Sequence, residues 1–197
     1  MFKSLSKPTI AVDVDWVLAK LLQKVLDCYN EDHNDIITVK DIKSWDIHNH
    51  VKIGSKIYEY FNEYGMFRDL EIVENSQEVI QFLQKKWEVI IVTDAFFSPN
   101  AMIDKYNWLR KNFDFIPKNN IVFASNKGLI KADFLIDDAP HNLVNFNKSG
   151  GFPILFDATH NKWCNEYFRV NDWLEIKECF DDRSNELYVN VKKLAIA

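Results

Sequence analysis

The 197-residue sequence predicts an α/β fold, a parallel sheet flanked by helices with a small helical insertion after the first strand. Three observations support this. Short apolar runs suited to buried strands alternate with amphipathic stretches at helical spacing. Those runs end in polar or acidic residues, as expected of a parallel sheet whose carboxyl edge binds ligands. Residues 18–74 hold helical patterns and no clear strand.

The elements follow in order. Residues 8–14 read as the first strand, and Leu18, Leu21, Leu22, Val25, Leu26 and Tyr29 then recur at helical spacing. Residues 30–50 are polar and read as short helices and loops. Ile53, Ile57, Tyr60, Phe61 and Tyr64 outline an amphipathic helix that stops near Gly65. Residues 76–86 read as a helix with Val79, Ile80 and Leu83 on its apolar face, and residues 87–94 as a second buried strand. Pro99 suits the first turn of a helix through Met102, Ile103, Tyr106, Trp108 and Leu109. Short strands are expected at 121–124, 134–137 and 153–156, and a last helix over 172–180. The expected organisation is a catalytic α/β core from residues 1–17 and 75–197, with 18–74 as a specificity cap.

A chain of this length fits one domain carrying an insertion, and a 47% hydrophobic fraction supports an ordinary core. The net charge of -5 argues against nucleic-acid polymers and anionic membranes as partners. Cys28, Cys164 and Cys179 are odd in number and contain no CxxC, which points to reduced thiols and a cytoplasmic setting. No signal-peptide core and no run approaching the ~20 apolar residues of a bilayer span is present. With only 5 glycines, phosphate loops of the glycine-rich type are absent.

The chemistry lies at the strand ends. Asp13 and Asp15 close the first strand, and Asp137-Asp138 close another. Carboxylates in such positions can bind a hard cation and supply a nucleophile and a proton donor. D-x-D also occurs on ordinary surface turns, and the second pair, followed by Pro140, also suits a helix N-terminus. Thr93 ends the second strand, where its hydroxyl and the amides of Asp94 and Ala95 could meet phosphate oxygens. Lys127, ahead of the second acidic pair, is either a solvated loop charge or a counter-charge for a phosphoryl group.

This order of D-x-D, threonine, lysine and D-D, with a helical insertion after the first pair, resembles the haloacid-dehalogenase superfamily of phosphotransferases. Within it the chain is similar to the 5'(3')-deoxyribonucleotidases, through residues 14–19, Trp45, residues 104–108, Asn126-Lys127, residues 132–138 and residues 155–161. The resemblance runs from about residue 8 to 175. It implies a Rossmann-like core and a Mg²⁺-dependent phosphatase acting on deoxyribonucleoside monophosphates. Asp13 would form an aspartyl-phosphate, and Asp15 would protonate the departing oxygen and then activate water. Mg²⁺ would be held by the Asp13 carboxylate, the Asp15 carbonyl and Asp138, with Asp137 beside it. Thr93 and Lys127 would hold the phosphoryl oxygens, Lys105 matches a second lysine of the family, and Trp45 would face the base. Phe67 and Tyr60 match family aromatic positions.

Two departures stand out. Trp16 replaces a residue that is usually glycine, which demands either ordinary dihedrals or packing against the cap. Asp94 stands where serine often follows the threonine, and its carboxylate would repel phosphate unless turned away. His48-Asn49-His50 reads as a solvated turn rather than a metal site. His141 is expected to face the loop, and His160-Asn161 matches a family stretch without an assigned role. The expected partner is a small nucleotide. A homodimer is one option among oligomeric states the sequence leaves open. Alternatives are a phosphatase for another small phosphate ester and a non-catalytic nucleotide-binding protein.

Overall fold

The computed structural model describes residues 7–181, so the flanking parts of the expected core, 1–6 and 182–197, lie outside the described residues. Six strands are formed: β1 (Thr9–Val12), β2 (Glu88–Thr93), β3 (Ile121–Phe123), β4 (Phe134–Asp137), β5 (Phe152–Phe156) and β6 (Phe168–Val170). They build one sheet in the order β3-β2-β1-β4-β5-β6, with all neighbours parallel. β1 is central and pairs on both sides, Ile10 with Val89 and with Phe134. Its side chains therefore had to be apolar on both faces, and Ile10, Ala11 and Val12 are fully buried.

The two faces follow the strand's two-residue period. Ile10, Val12, Ile91 and Ile136 pack with α2 (Ser76–Gln84), α3 (Pro99–Asn112) and α5 (Trp173–Phe180). Ala11, Val92, Leu135 and Leu155 pack with Leu143 and Phe146 of α4 (Pro140–Lys148). At Gly151 a Cβ would come within 2.2 Å of the Phe146 ring, so glycine is what lets the chain leave α4 and enter β5.

Between β1 and α2 lie α1 (Leu21–His33) and three 3-10 helices, Val39–Asp41, Ile47–His50 and Gly54–Asn62. The two connections to this segment pair with each other: Lys20 N donates to Glu71 O at 2.9 Å and Val73 N to Leu18 O at 2.8 Å. Buried indoles fix both ends to the core. Trp108 Nε1 donates to Leu70 O and Trp173 Nε1 to Val17 O, each at 2.8 Å, and such bonds contribute about 1 kcal/mol net apiece.

Some boundaries differ from expectation. β1 stops at Val12 because residues 14–19 fold into a tight loop, with Leu18 N and Ala19 N both donating to Val14 O. α1 consequently starts at Leu21, and Leu18, which the spacing counted with the helix, lies in the loop. β6 escaped sequence reading because it is a three-residue edge strand with Arg169 at its centre. Pro140 occupies the first turn of α4 as expected, but the N-cap is Ala139 rather than an aspartate.

Candidate active site

Parallel strands deliver their carboxyl ends to one edge, and the strand order reverses between β1 and β4, which opens a crevice there. Asp13 follows β1 and Asp137 ends β4, on either side of that reversal. Asp13 N donates to Ile136 O at 3.0 Å, fixing the two ends together. Carboxylate oxygens of Asp13, Asp137 and Asp138 converge within 4.8 Å of one another, and all three residues are buried.

Lys127 reaches into this cluster. Its Nζ lies 2.6 Å from Asp13 Oδ1 and 2.6 Å from Asp137 Oδ2, and the side chain is only 3% exposed, which rules out the solvated alternative. The lysine opens a 3-10 turn, Lys127–Leu129, in which the Asn126 side chain accepts from Gly128 N at 3.0 Å. A Cβ on Gly128 would lie 2.9 Å from Asn145 O, so glycine allows the turn to press against α4.

Lys105 arrives from α3 and is also buried, at 1% exposure. It pairs with Asp15 Oδ2 and donates to Thr93 Oγ1 at 3.2 Å and to Asp94 O at 2.6 Å. Its ammonium stands 4.8 Å from the Phe67 ring centroid, a cation–π arrangement. The other carboxylate oxygen of Asp15, Oδ1, is buried and has no hydrogen-bond partner.

Charge in the cluster is unbalanced. Asp13, Asp15, Asp137 and Asp138 face two ammonium groups, an excess of two negative charges. Burial pushes the Asp13 carboxyl well above the usual carboxylate range, and Lys127 opposes this while the other three aspartates add to it. Asp137 is raised for the same first reason, again against Lys127. Burial alone would lower Lys127, but Asp13 and Asp137 outweigh it and hold the lysine protonated. An all-oxygen donor set with two surplus negative charges fits a hard divalent cation, which would cancel that excess.

A cavity of about 480 Å³ opens beside the cluster, with Asp15 and Asp138 on its lining. Trp45 lies on this lining, half exposed, and its ring meets His141 at 4.8 Å and His160 at 5.3 Å, both edge-on. Phe67, Tyr60 and the Asp94 side chain are not on that lining, the last as required if its carboxylate is not to repel phosphate. Phe67 is fully buried beneath Lys105. Tyr60 turns its hydroxyl to Asp32 Oδ2 at 2.5 Å, and burial with that bond raises its pKa. Asp94 turns its carboxylate to Ser125 Oγ (2.8 Å) and Phe96 N (3.0 Å), and only its carbonyl meets Lys105.

Tyr60 stays on the apolar face that its spacing with Ile57 marked. Residues 54–62 form a 3-10 helix, in which positions three apart share a face. Ile57 and Tyr60 therefore fall on the buried face, while Tyr58 and Phe61 line the cavity. His48 and His50 bond locally, to Tyr58 Oη and Ser44 Oγ at 3.0 Å each, so they are cap residues rather than metal ligands.

Three contributors went unassigned in the sequence. His160 Nε2 stands 2.8 Å from Asp138 Oδ2, out of line for a hydrogen bond, and His160 lines the cavity. Asn161 Nδ2 donates to the carbonyls of Asp138 and Phe156 at 2.8 Å each, locking the backbone behind the acidic pair. Their only sequence signal was the family-like stretch 155–161, because His160 lies 22 positions after Asp138. Trp16 has φ of 66°, a left-handed conformation that costs a bulky residue about 1–2 kcal/mol. Of the two expected alternatives, packing against the cap holds and ordinary dihedrals do not: Trp16 packs on Leu22, Leu26 and Ile42.

A family model described as "5' nucleotidase, deoxy (Pyrimidine), cytosolic type C protein" matches residues 7–184. The chain belongs to this deoxyribonucleotidase family. It is 42% identical over 171 residues to a 5'(3')-deoxyribonucleotidase of Bacillus subtilis (strain 168), covering 87% of this chain and 97% of that one. A 5'(3')-deoxyribonucleotidase of Clostridium acetobutylicum is 40% identical over 175 residues, 88% and 94% of the two chains. Solved structures similar in fold include a haloacid dehalogenase-like hydrolase from Bacillus subtilis bound to magnesium, at TM-score 0.57 and 13% identity, covering 89% of this chain and 99% of that chain. Another, from Burkholderia xenovorans, gives TM-score 0.55 at 10% identity over 92% and 98%. This deoxyribonucleotidase-family chain is a phosphoric monoester hydrolase. Among its described residues no helix is long and apolar enough to cross a membrane.

Proposed function

We propose that the protein hydrolyses deoxyribonucleoside monophosphates to deoxynucleoside and phosphate, through an aspartyl-phosphate on Asp13 and with Mg²⁺ as cofactor. The observation that carries this reading is the joining of two features: the acidic cluster with its buried lysines, and an aromatic cavity of about 480 Å³ reached by Asp15 and Asp138. The cavity has the size of a small-molecule site, and the net charge of -5 disfavours a nucleic-acid polymer as partner.

Asp13 attacks phosphorus, and its carboxylate oxygen forms the new P–O bond while the ester oxygen leaves. Asp15 suits the proton donor and later base, because Lys105 holds Oδ2 while the unpartnered Oδ1 is left for exchange with the leaving oxygen and then water. Lys127 and Thr93 offset the charge on the transferring oxygens. Asp13 and Asp138, with the Asp15 carbonyl and Asp137 nearby, are the groups that would hold Mg²⁺, which when bound supplies charge neutralisation at the phosphoryl group. Trp45 offers a face to the base. A cytoplasmic setting is part of this proposal, supported by the free thiols of Cys28, Cys164 and Cys179.

The test is phosphate release from dUMP, dTMP, UMP and a set of sugar phosphates with Mg²⁺. The family description names pyrimidine substrates, so dUMP and dTMP are expected to lead. Sugar phosphates turned over as fast as the nucleotides would favour a general small-ester phosphatase. Nucleotide binding with Mg²⁺ but no phosphate release would favour a non-catalytic protein.

A further inference from the structure

We propose that Trp16 is a specificity-determining residue, its indole forming the cavity wall beside the acidic cluster and limiting the size of base the cavity accepts. The proposal rests on the nucleotidase reading above and deepens it. Trp16 directly follows Asp15, and both residues line the cavity. Its φ of 66° is a conformation that glycine adopts freely and a bulky side chain resists. Tryptophan lacks the short polar side chain with which asparagine or aspartate eases that conformation. Something outside the residue must therefore hold it there.

The holding contacts come from three directions. Trp16 N donates to Ala19 O at 2.8 Å, closing the loop that carries Asp15. Nε1 donates to Asp157 O at 3.3 Å, at the end of β5, and Asp157 is itself tied by Arg169 at 2.7 Å. The ring packs on Leu22 and Ile42 of the inserted segment. A strained backbone held this way fixes the wall rather than letting it swing aside.

The position also completes an aromatic surface. The Trp16 ring meets His160 at 5.1 Å and 75°, and Trp45 meets the same histidine at 5.3 Å and 79°. Two indoles, one from the loop after β1 and one from the middle of the inserted segment, thus abut one imidazole that stands 2.8 Å from Asp138. A flat nucleobase is the ligand such faces suit, and a fixed wall favours one ring over two.

The experiment compares wild type with Trp16→Gly and Trp16→Phe on dUMP, dTMP, dGMP and phenyl phosphate with Mg²⁺, with melting temperatures measured alongside. Glycine accepts the backbone conformation, so Trp16→Gly is expected to fold. KM for dUMP should rise about tenfold, with kcat within about threefold. The dGMP-to-dUMP ratio of kcat/KM should rise at least about fivefold, and phenyl phosphate should change less than about threefold. Trp16→Phe keeps a ring and should move the ratio in the same direction by less, which preserves the test if the glycine variant fails to fold. Parallel losses on all four substrates, or unchanged ratios in the folded variants, would overturn the proposal. A wild type that hydrolyses no nucleotide would overturn both readings, whereas an active wild type with unaltered variant ratios overturns only this one.

Discussion

Lys127→Met is the perturbation whose outcome the structure defines most sharply. The ammonium sits 2.6 Å from both Asp13 and Asp137, and all three side chains are buried, so solvent screens little of the interaction. Methionine fills a similar volume and removes the charge, which strands two buried carboxylates. Breaking a buried pair from one side costs about 3–5 kcal/mol. In a chain of this size each kcal/mol shifts Tm by about 2–4 °C, so the metal-free variant should melt about 6–20 °C lower near pH 8. The loss should depend on pH. Burial already raises Asp13 and Asp137, and Lys127 is the group that opposes the rise. Without it both climb further, and a carboxyl raised in the folded state contributes stability below the ordinary range near 4 that disappears as pH rises through the folded value. The deficit should therefore shrink from pH 8 to pH 5, where protons replace the missing charge. Thermal and urea unfolding followed by circular dichroism in EDTA measures this. A deficit under about 1 kcal/mol, or one that is flat across that interval, would refute the reasoning.

Asp13→Asn should abolish phosphate release while leaving stability within about 1 kcal/mol, since burial already disfavours the charge it removes; melting and activity assays on one preparation test both halves. Gly128→Ala should lower Tm by about 2–12 °C and depress kcat, because its Cβ would crowd Asn145 O at 2.9 Å and displace the turn bearing Lys127. Trp45→Ala should leave Tm nearly unchanged, as the ring is half exposed, yet reduce kcat/KM for dUMP about tenfold and for phenyl phosphate far less. Equal losses on both would remove Trp45 from the base site. Removing Mg²⁺ with EDTA should eliminate turnover, and Asp138→Asn should weaken Mg²⁺ binding by calorimetry.

The central strands were readable because burial on both faces demands unbroken aliphatic runs, as in residues 10–12 and 89–92. The same runs, ending in Asp13, Thr93 and Asp137, located the chemistry before any contact was known. β6 was not readable because an edge strand tolerates Arg169. Within the cap, apolar spacing suggested an amphipathic helix over residues 53–64; the chain forms a 3-10 helix over 54–62 that buries Ile57 and Tyr60 as the spacing implied but leaves Tyr64 exposed. His160 and Asn161 depend on long-range closure around Asp138, which no local pattern encodes. Lys105 was marked only by the family resemblance, for the same reason. Only tertiary contact with Asp15 and Thr93 decides between a solvated and a buried lysine.

The most direct measurement is a crystal structure of the protein with Mg²⁺ and beryllium fluoride, a mimic of the aspartyl-phosphate. Beryllium should be bonded to an Asp13 carboxylate oxygen, with the cation about 2.0–2.1 Å from oxygens of Asp13 and Asp138 and Lys127 turned onto a fluoride. A cation held elsewhere, or Asp13 left bare while the fluoride complex sits apart, would contradict the account.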